Sequence, residues 1–371
     1  MFDLNKPLDV NWELNNRCNL MCPQCGRNEI RDGKLQWRKW ANGNPRGNLN
    51  DTDNSLDTFK RAYNNIGYPV RVIRFQGHVS ENILSKDFLP ICKFLREETN
   101  TSVQVSTHGS ANTLEWWKSL GSIFSGDPKS IVFFSLDGVG QKSLENYRVG
   151  ADYDKVISNA KSYIQGGGKA IWRMIIFKHN QHQIDQAREI AREIGFWEFV
   201  EVHTNRRTNM NKEFEYKGKT YILENQDISP EWNESVEKNL KYRSEKVTDI
   251  DCKVIRENQF YVDYMNRVWA CYYIPNQKQL VSESNWYKKY FDKTDSLLDK
   301  SLEEILKDNF FQDLQNSWNG DCLSYCKKFC SKKIGVNRGF KWSMHEDSEE
   351  RQKKRMKDYH GKYIQRTKDY T

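Results

Sequence analysis

Cys18-Asn19-Leu20-Met21-Cys22-Pro23-Gln24-Cys25 places three thiols within eight residues. A loop this tight can hardly bury three cysteines as small hydrophobes, so the spacing points to thiolates gathered around a metal. Three protein ligands leave one position of a four-position site open, and an open position is where a metal centre does chemistry. The preceding Leu8-Asp9-Val10-Asn11-Trp12-Glu13-Leu14 alternates apolar and polar residues and predicts a strand. The thiols therefore sit in the loop after a first strand, which is the ligand-binding end of a parallel α/β architecture.

The C-x3-C-x2-C spacing in that place resembles the signature of the radical S-adenosylmethionine (SAM) superfamily. The resemblance implies that Cys18, Cys22 and Cys25 hold a 4Fe–4S cluster whose fourth iron is chelated by the amine and carboxylate of SAM. It implies too that the reduced cluster passes one electron to SAM, and that a 5′-deoxyadenosyl radical then takes a hydrogen from the substrate. A one-electron reductase such as flavodoxin or ferredoxin is the implied partner. One position departs from the common pattern: Gln24 stands where an aromatic or otherwise hydrophobic residue is usual.

The elements that must position this loop can be read from periodicity. Strand-like runs follow at Val70–Phe75, Val103–Thr107, Ile131–Ser135, Ala170–Phe177 and Phe199–His203. Amphipathic helical runs lie between them at Leu56–Asn65, Lys86–Glu98, Leu114–Leu120, Tyr153–Ile164 and Gln183–Ile194. Counting the first strand, six βα units predict a parallel sheet with crossover helices. Six are too few for a closed eight-stranded barrel, and the resemblance implies an open, partial (β/α)6 TIM-like barrel over residues 1–204. Residues 26–50 carry no periodicity and read as a loop insertion beside the thiols. Residues 205–250 read as an irregular linker or insertion with one hairpin at Phe214–Ile222.

Further stretches resemble SAM-binding positions at strand ends. In Gln76-Gly77-His78-Val79-Ser80-Glu81, Gly77 matches a Gly-Gly-Glu motif that contacts the SAM amine, with His78 in the second glycine position and Glu81 displaced. A polar loop without SAM contact is the alternative for His78 and Glu81. Ser106-Thr107-His108-Gly109 resembles a Thr-Asn-Gly loop, which makes Ser106 and His108 candidates. Ser135-Leu136-Asp137-Gly138 is the nearest match, with Ser135 and Asp137 able to bond ribose or amine. Arg148 can clamp a carboxylate through a charge-assisted pair, or form an ordinary surface salt bridge. Trp172, Met174 and Ile176 share one strand face and read as core. His179, Asn180, His182, His203 and Asn205 follow the fifth and sixth strands and read as substrate or SAM hydrogen-bonding groups.

Five more cysteines fall between residues 252 and 330. Cys252 precedes a hairpin-like segment ending at Cys271, with Asn266 able to take the positive φ of its turn. Cys322, Cys326 and Cys330 follow a helical stretch from Leu302 to Trp318. The group resembles the SPASM/twitch modules of radical SAM enzymes. The twitch form implies a small C-terminal Cys-rich domain over 251–331, holding one auxiliary 4Fe–4S cluster on Cys252, Cys271, Cys326 and Cys330, with Cys322 as an alternative ligand. A zinc knuckle can use the same thiols. Cys92 reads as an ordinary core thiol.

At 371 residues the chain can bury a barrel-sized core and a smaller second domain. It holds no run of membrane-spanning length and no signal-peptide pattern at Met1-Phe2-Asp3-Leu4. A reducing cytoplasm is the expected compartment, with thiols in place of disulfides. The net charge is +8, and the segment after Cys330 carries 12 Lys/Arg against 6 Asp/Glu, leaving little excess elsewhere. This basic tail over 332–371 reads as a solvated helix or mobile arm, with an anionic partner as the alternative. With no N-terminal peptide-binding fold in view, a small or nucleotide-like substrate is favoured over a peptide. The competing class is a non-catalytic, zinc-stabilised nucleic-acid-binding protein.

Overall fold

The computed structural model describes residues 2–37, 52–78, 80–203, 212–227, 250–275, 295–319, 322–323, 326, 330 and 339–342. The basic arm from residue 343 onward, the stretch 228–249 and Asn205 lie outside the described residues. In chain order the strands are β1 (Leu8–Trp12), β2 (Asn28–Arg31), β3 (Lys34–Trp37), β4 (Val70–Phe75), β5 (Ser102–Thr107), β6 (Ile131–Ser135) and β7 (Lys169–Ile175). They continue as β8 (Glu198–His203), β9 (Lys212–Tyr216), β10 (Lys219–Leu223), β11 (Gln259–Val262), β12 (Val268–Trp269) and β13 (Gly339–Trp342). The helices between β3 and β8 are α1 (Leu56–Asn64), α2 (Phe88–Lys93), α3 (Leu114–Phe124), α4 (Gln141–Glu145), α5 (Tyr153–Gln165) and α6 (Ile184–Ile194).

The six strands expected from alternation, β1 and β4 to β8, lie side by side in sequence order and pair in parallel. Their helices begin where the side chains supply caps. Ser55, Thr113 and Asp152 each accept a backbone N–H of the first turn of α1, α3 and α5. Gly195, at φ +91°, ends α6 in the left-handed conformation. Adding each strand on the same side through crossovers of one hand lays the helices on one face of the sheet. Leu8, Val10 and Trp12 of β1, Val103 and Val105 of β5, and Trp172 and Met174 of β7 share one core with Phe59, Trp117, Tyr163 and Ala187 of those helices.

The opposite face has a different composition. Ile131, Ile171 and Val200 form a small apolar cluster at β6 to β8. Asp9, Asn11, Arg74 and Gln104 of β1, β4 and β5 are buried and polar. Asp9 is fully buried and accepts from Arg71 Nε at 2.9 Å and Arg74 Nη2 at 2.7 Å. The result is a mixed α/β, mostly parallel sheet.

The structure departs from the sequence reading in several places. Residues 28–37, expected to be loop, form the β2–β3 hairpin around Asp32 (φ +51°) and Gly33 (φ +71°). The Asp-Gly turn was the available signal, and its flanking strands are only four residues each. The β9–β10 hairpin does form, around Lys217 and Gly218, and β9 pairs with β3 to make a second, four-stranded sheet. That sheet sets Leu35, Phe214, Tyr221 and Leu223 against Met21 of the thiol loop and Tyr147 and Val149.

The segment after Cys252 gives the hairpin β11–β12 with Asn266 at φ +60°, and β11 also pairs in parallel with β1. The main sheet therefore has nine strands, in the order β12-β11-β1-β4-β5-β6-β7-β8-β13. Its last edge is β13, a piece of the expected tail, antiparallel to β8. The helical stretch after Ser301 is two helices, Leu302–Leu306 and Asn309–Ser317. Among the described residues no helix is long and apolar enough to cross a membrane.

Asp9→Leu should lower stability by about 3 to 5 kcal/mol, because it leaves two arginines without their buried counter-charge. Denaturant unfolding measures this, and a loss below about 1 kcal/mol would show that the pair contributes little.

Candidate functional site: two gathered groups of thiols

The first thiol loop leaves β1 and is pinned from several sides. The Leu14 N–H donates to Asn82 Oδ1 at 2.8 Å, and the Leu14 carbonyl accepts from the side-chain amide of Asn54 at 3.0 Å. The Glu81 N–H donates to the Arg17 carbonyl at 2.6 Å, and Arg17 pairs with Asp53 at 2.6 Å. Beyond Cys18, the Met21 N–H donates to the Val149 carbonyl at 2.9 Å. The Cys22 carbonyl accepts from the Cys25 N–H at 3.1 Å and from Asn28 Nδ2 at 2.8 Å, which closes the turn that carries the last two thiols.

The charges around this loop come from the carboxyl ends of the neighbouring strands. Arg148 Nε donates to Asp137 Oδ2 at 2.6 Å, and Arg148 Nη1 lies 3.8 Å from Cys22 Sγ. The other oxygen of Asp137 accepts the Ile175 N–H at 2.6 Å, so the carboxylate is fixed between β6 and β7. Burial pushes the Cys22 thiol up to about 11, and Arg148 works against that shift. Burial also raises the Cys18 thiol, with further contributions from Glu81, Cys22 and Cys25. The three thiols thus feel one another's charge. Among the described residues no group of three or more His, Cys, Asp or Glu is arranged to hold a metal ion as it stands. The donor set still suits a soft metal: buried thiols oppose one another's ionisation, and a bound cation reverses that balance.

Glu81 is the residue that sequence reading left displaced. It is buried beside Cys18, and its Oε2 accepts the His108 N–H at 3.1 Å. Burial raises the carboxyl to about 7. His108 Nε2 lies 3.2 Å from the same oxygen, while His108 Nδ1 accepts the Ser110 N–H at 3.0 Å. Burial lowers the His108 imidazole to about 3 and keeps it neutral. Asn16, with both polar side-chain atoms, and Ser110 and Ser80, with their hydroxyls, are buried without a hydrogen-bond partner among the described residues. Unmet polar groups beside a thiol loop fit a polar ligand.

The remaining candidates are placed as follows. Gly77 has φ +55°, and a Cβ there would lie 2.1 Å from the Ser80 carbonyl oxygen, so only glycine fits. The His78 ring stacks on Tyr272. Ser106, one residue before the end of β5, and Ser135, the last residue of β6, fall on the helix-free face by strand parity. His203 shares the helix side of β8 with Glu201. It lies 3.1 Å from Glu201, which pairs with Arg188 of α6, and 2.9 Å from Gln226. Its strand position faces the helix layer, a parity that the sequence run alone did not orient.

The five later cysteines also gather. Cys252 begins the short helix Lys253–Arg256, Cys271 follows β12, and the Asp251 N–H donates to the Cys330 carbonyl at 2.6 Å. A Cys252–Cys330 hydrogen bond lowers the Cys330 thiol and raises that of Cys252. Cys271 is pushed up to about 12 by burial and then by Cys330. Cys326 is raised by burial and by Cys271, Cys330 and Cys322, in that order.

No protein-family model and no curated protein matches the chain. Solved structures do. SuiB of Streptococcus suis bound to S-adenosylmethionine matches with TM-score 0.50 and 14% identity, over 82% of this chain and 66% of SuiB. SuiB bound to precursor peptide SuiA matches with TM-score 0.51 and 14% identity, over 82% of this chain and 65% of SuiB. Native anSMEcpe with bound AdoMet and a peptide matches with TM-score 0.47 and 15% identity, over 95% and 96%. The chain spans just under two thirds of SuiB in both comparisons.

His179 allows a pH test away from the thiols. Burial lowers its imidazole from 6.5 to about 4, and its ring stacks on Phe177 at 5.4 Å. Below pH 6.5 the unfolded chain takes up this proton first, so stability falls as pH drops toward 4. His179→Phe should flatten that part of the stability profile; an unchanged slope in denaturation at pH 7 and pH 5 would contradict the assignment. The chain has the fold of these SuiB structures, one of them bound to SAM, and it carries the cysteine spacing of the radical SAM superfamily in the loop after its first parallel strand.

Proposed function

We propose that the chain is a radical SAM enzyme, with Cys18, Cys22 and Cys25 holding a 4Fe–4S cluster. The observation that carries this is the convergence of Cys18, Cys22 and Cys25 with Arg148, Asp137 and Glu81 at one end of a parallel sheet, where the side chains of Asn16 and Ser110 are buried without a partner among the described residues. When bound, the cluster and SAM supply a 5′-deoxyadenosyl radical that abstracts a substrate hydrogen. The protein's part is to bind, orient and exclude water. Arg148, held charged by Asp137, is the cation for the SAM carboxylate. Glu81, with His108 behind it, is the acceptor for the SAM amine. The small sheet packed on Met21, Tyr147 and Val149 keeps water from the loop.

Cys252, Cys271, Cys326 and Cys330 hold an auxiliary 4Fe–4S cluster in this reading, and a flavodoxin- or ferredoxin-like donor supplies electrons. A small or nucleotide-like molecule remains one substrate reading. A peptide is the second, and the match to peptide-bound SuiB favours it.

Anaerobically purified protein should contain iron and sulfide, and with reductant and SAM should form 5′-deoxyadenosine. Cys22→Ala should reduce that product to background. Stoichiometric zinc without iron would support the binding-protein reading instead.

Single Cys→Ala variants address the second group. Cys330→Ala should lose the iron of that site and Cys322→Ala should keep it. The reverse pattern would replace Cys330 with Cys322 in the ligand set.

A further inference from the structure

The geometry points to His78 as a positioning residue that sets the second thiol group against the first, an inference resting on the reading of both groups as cluster sites. His78 lies three residues before Glu81, the carboxylate that reaches the Cys18 thiol. Its backbone N–H donates to Glu13, just past β1. Gly77, with its obligatory positive φ, turns the chain immediately before it. The His78 ring then stacks on Tyr272 with centroids 3.7 Å apart and planes 3° from parallel. It meets Tyr261 of β11 edge-on at 5.7 Å and 71°.

Tyr272 is the residue after Cys271, and it rests in turn on Tyr273 at 4.1 Å. The stack therefore joins a loop clipped to the first thiols with a turn that carries one of the second. A near-parallel contact fixes both the separation and the tilt of the two rings, which a contact between aliphatic chains does not. The hairpin's base is held independently, by β11 pairing with both β1 and β12. Folding thus does not hang on His78. What the stack sets is the turn from Cys271 to Ile274, closed by the Ile274 N–H to the Cys271 carbonyl at 3.2 Å.

The test uses the full chain loaded anaerobically with iron and sulfide, comparing wild type, His78→Ala and His78→Phe. The readouts are iron per chain and the magnetic dipolar splitting between the two reduced clusters. Wild type and His78→Phe should share one resolved splitting, while His78→Ala keeps its iron and loses that splitting to a broad distribution. Loss of the second group's iron in His78→Ala, with His78→Phe fully loaded, supports the same role. A wild-type splitting retained in His78→Ala overturns it. So does His78→Phe failing as His78→Ala does, or doubly loaded wild type showing no splitting. A wild-type chain that takes up no iron on Cys18, Cys22 and Cys25 overturns the cluster reading itself, and that result is visible before any variant is compared.

Discussion

The parallel pairing of β1 between β4 and β11 is the constraint on which the rest depends. Each register is fixed by backbone bonds along the strand, with Asn11 opposite Arg74 on one side and Tyr261 on the other. A slip by one residue would send Leu8, Val10 and Trp12 to the polar face and Asp9 into the helix-covered core. Because β1 is held on both edges, the loop that leaves it has a fixed start, and Cys18 follows six residues after its end. The same pairing brings in the chain that carries Cys252 and Cys271. One strand thus sets the origin of both thiol groups.

What separates Cys92 from the gathered cysteines of this protein is company rather than burial. Cys92 is fully buried, and burial alone raises its thiol. Cys18, Cys22, Cys271 and Cys326 are also raised by burial, but each has other thiols among the causes. Gathering thiols in this way works against their ionisation and brings no packing advantage that a valine would not supply. The arrangement becomes favourable when a cation binds them together, since thiolate and metal then stabilise each other in a medium that water does not screen.

The sequence made the parallel core legible because its strands are short runs rich in β-branched and aromatic residues and because α1, α3 and α5 carry side-chain caps. Val70–Phe75 and Ile131–Ser135 match the observed strands residue for residue. The β2–β3 hairpin was not legible, since its strands are short and its stability comes from Phe214 and Tyr221, more than 170 residues away. The docking of β11 on β1 was hidden for a related reason: strand partners are set by crossovers and tertiary packing, not by local pattern. Cys18, Cys22 and Cys25 lie together, and Arg148, a candidate from a separate stretch, lies beside Cys22. Glu81 was harder to place because its register in the loop depends on the Arg17 contact. The side of the sheet that His203 takes was not legible, because alternation tells two faces apart without saying which one the helices cover.

That last ambiguity follows from the winding. In a sheet with helices on both faces, parallel strands become continuous apolar runs. Here β1 reads Leu8-Asp9-Val10-Asn11-Trp12, and β6 reads Ile131-Val132-Phe133-Phe134-Ser135. The first alternates because one of its faces carries the Asp9–Arg71–Arg74 cluster in place of a helix. The second runs apolar because Ile131 and Phe133 meet Ile171 and Val200 on that same uncovered face. The face without helices is therefore polar on the side of the thiol loop and apolar on the far side. Burying Asp9 with Arg74 and the half-buried Arg71 contributes little net stability next to well-packed apolar residues of the same volume. Core packing therefore accounts for Leu8, Val10 and Trp12 of β1 but not for Asp9, whose place is set by the two arginines that it holds on the face without helices.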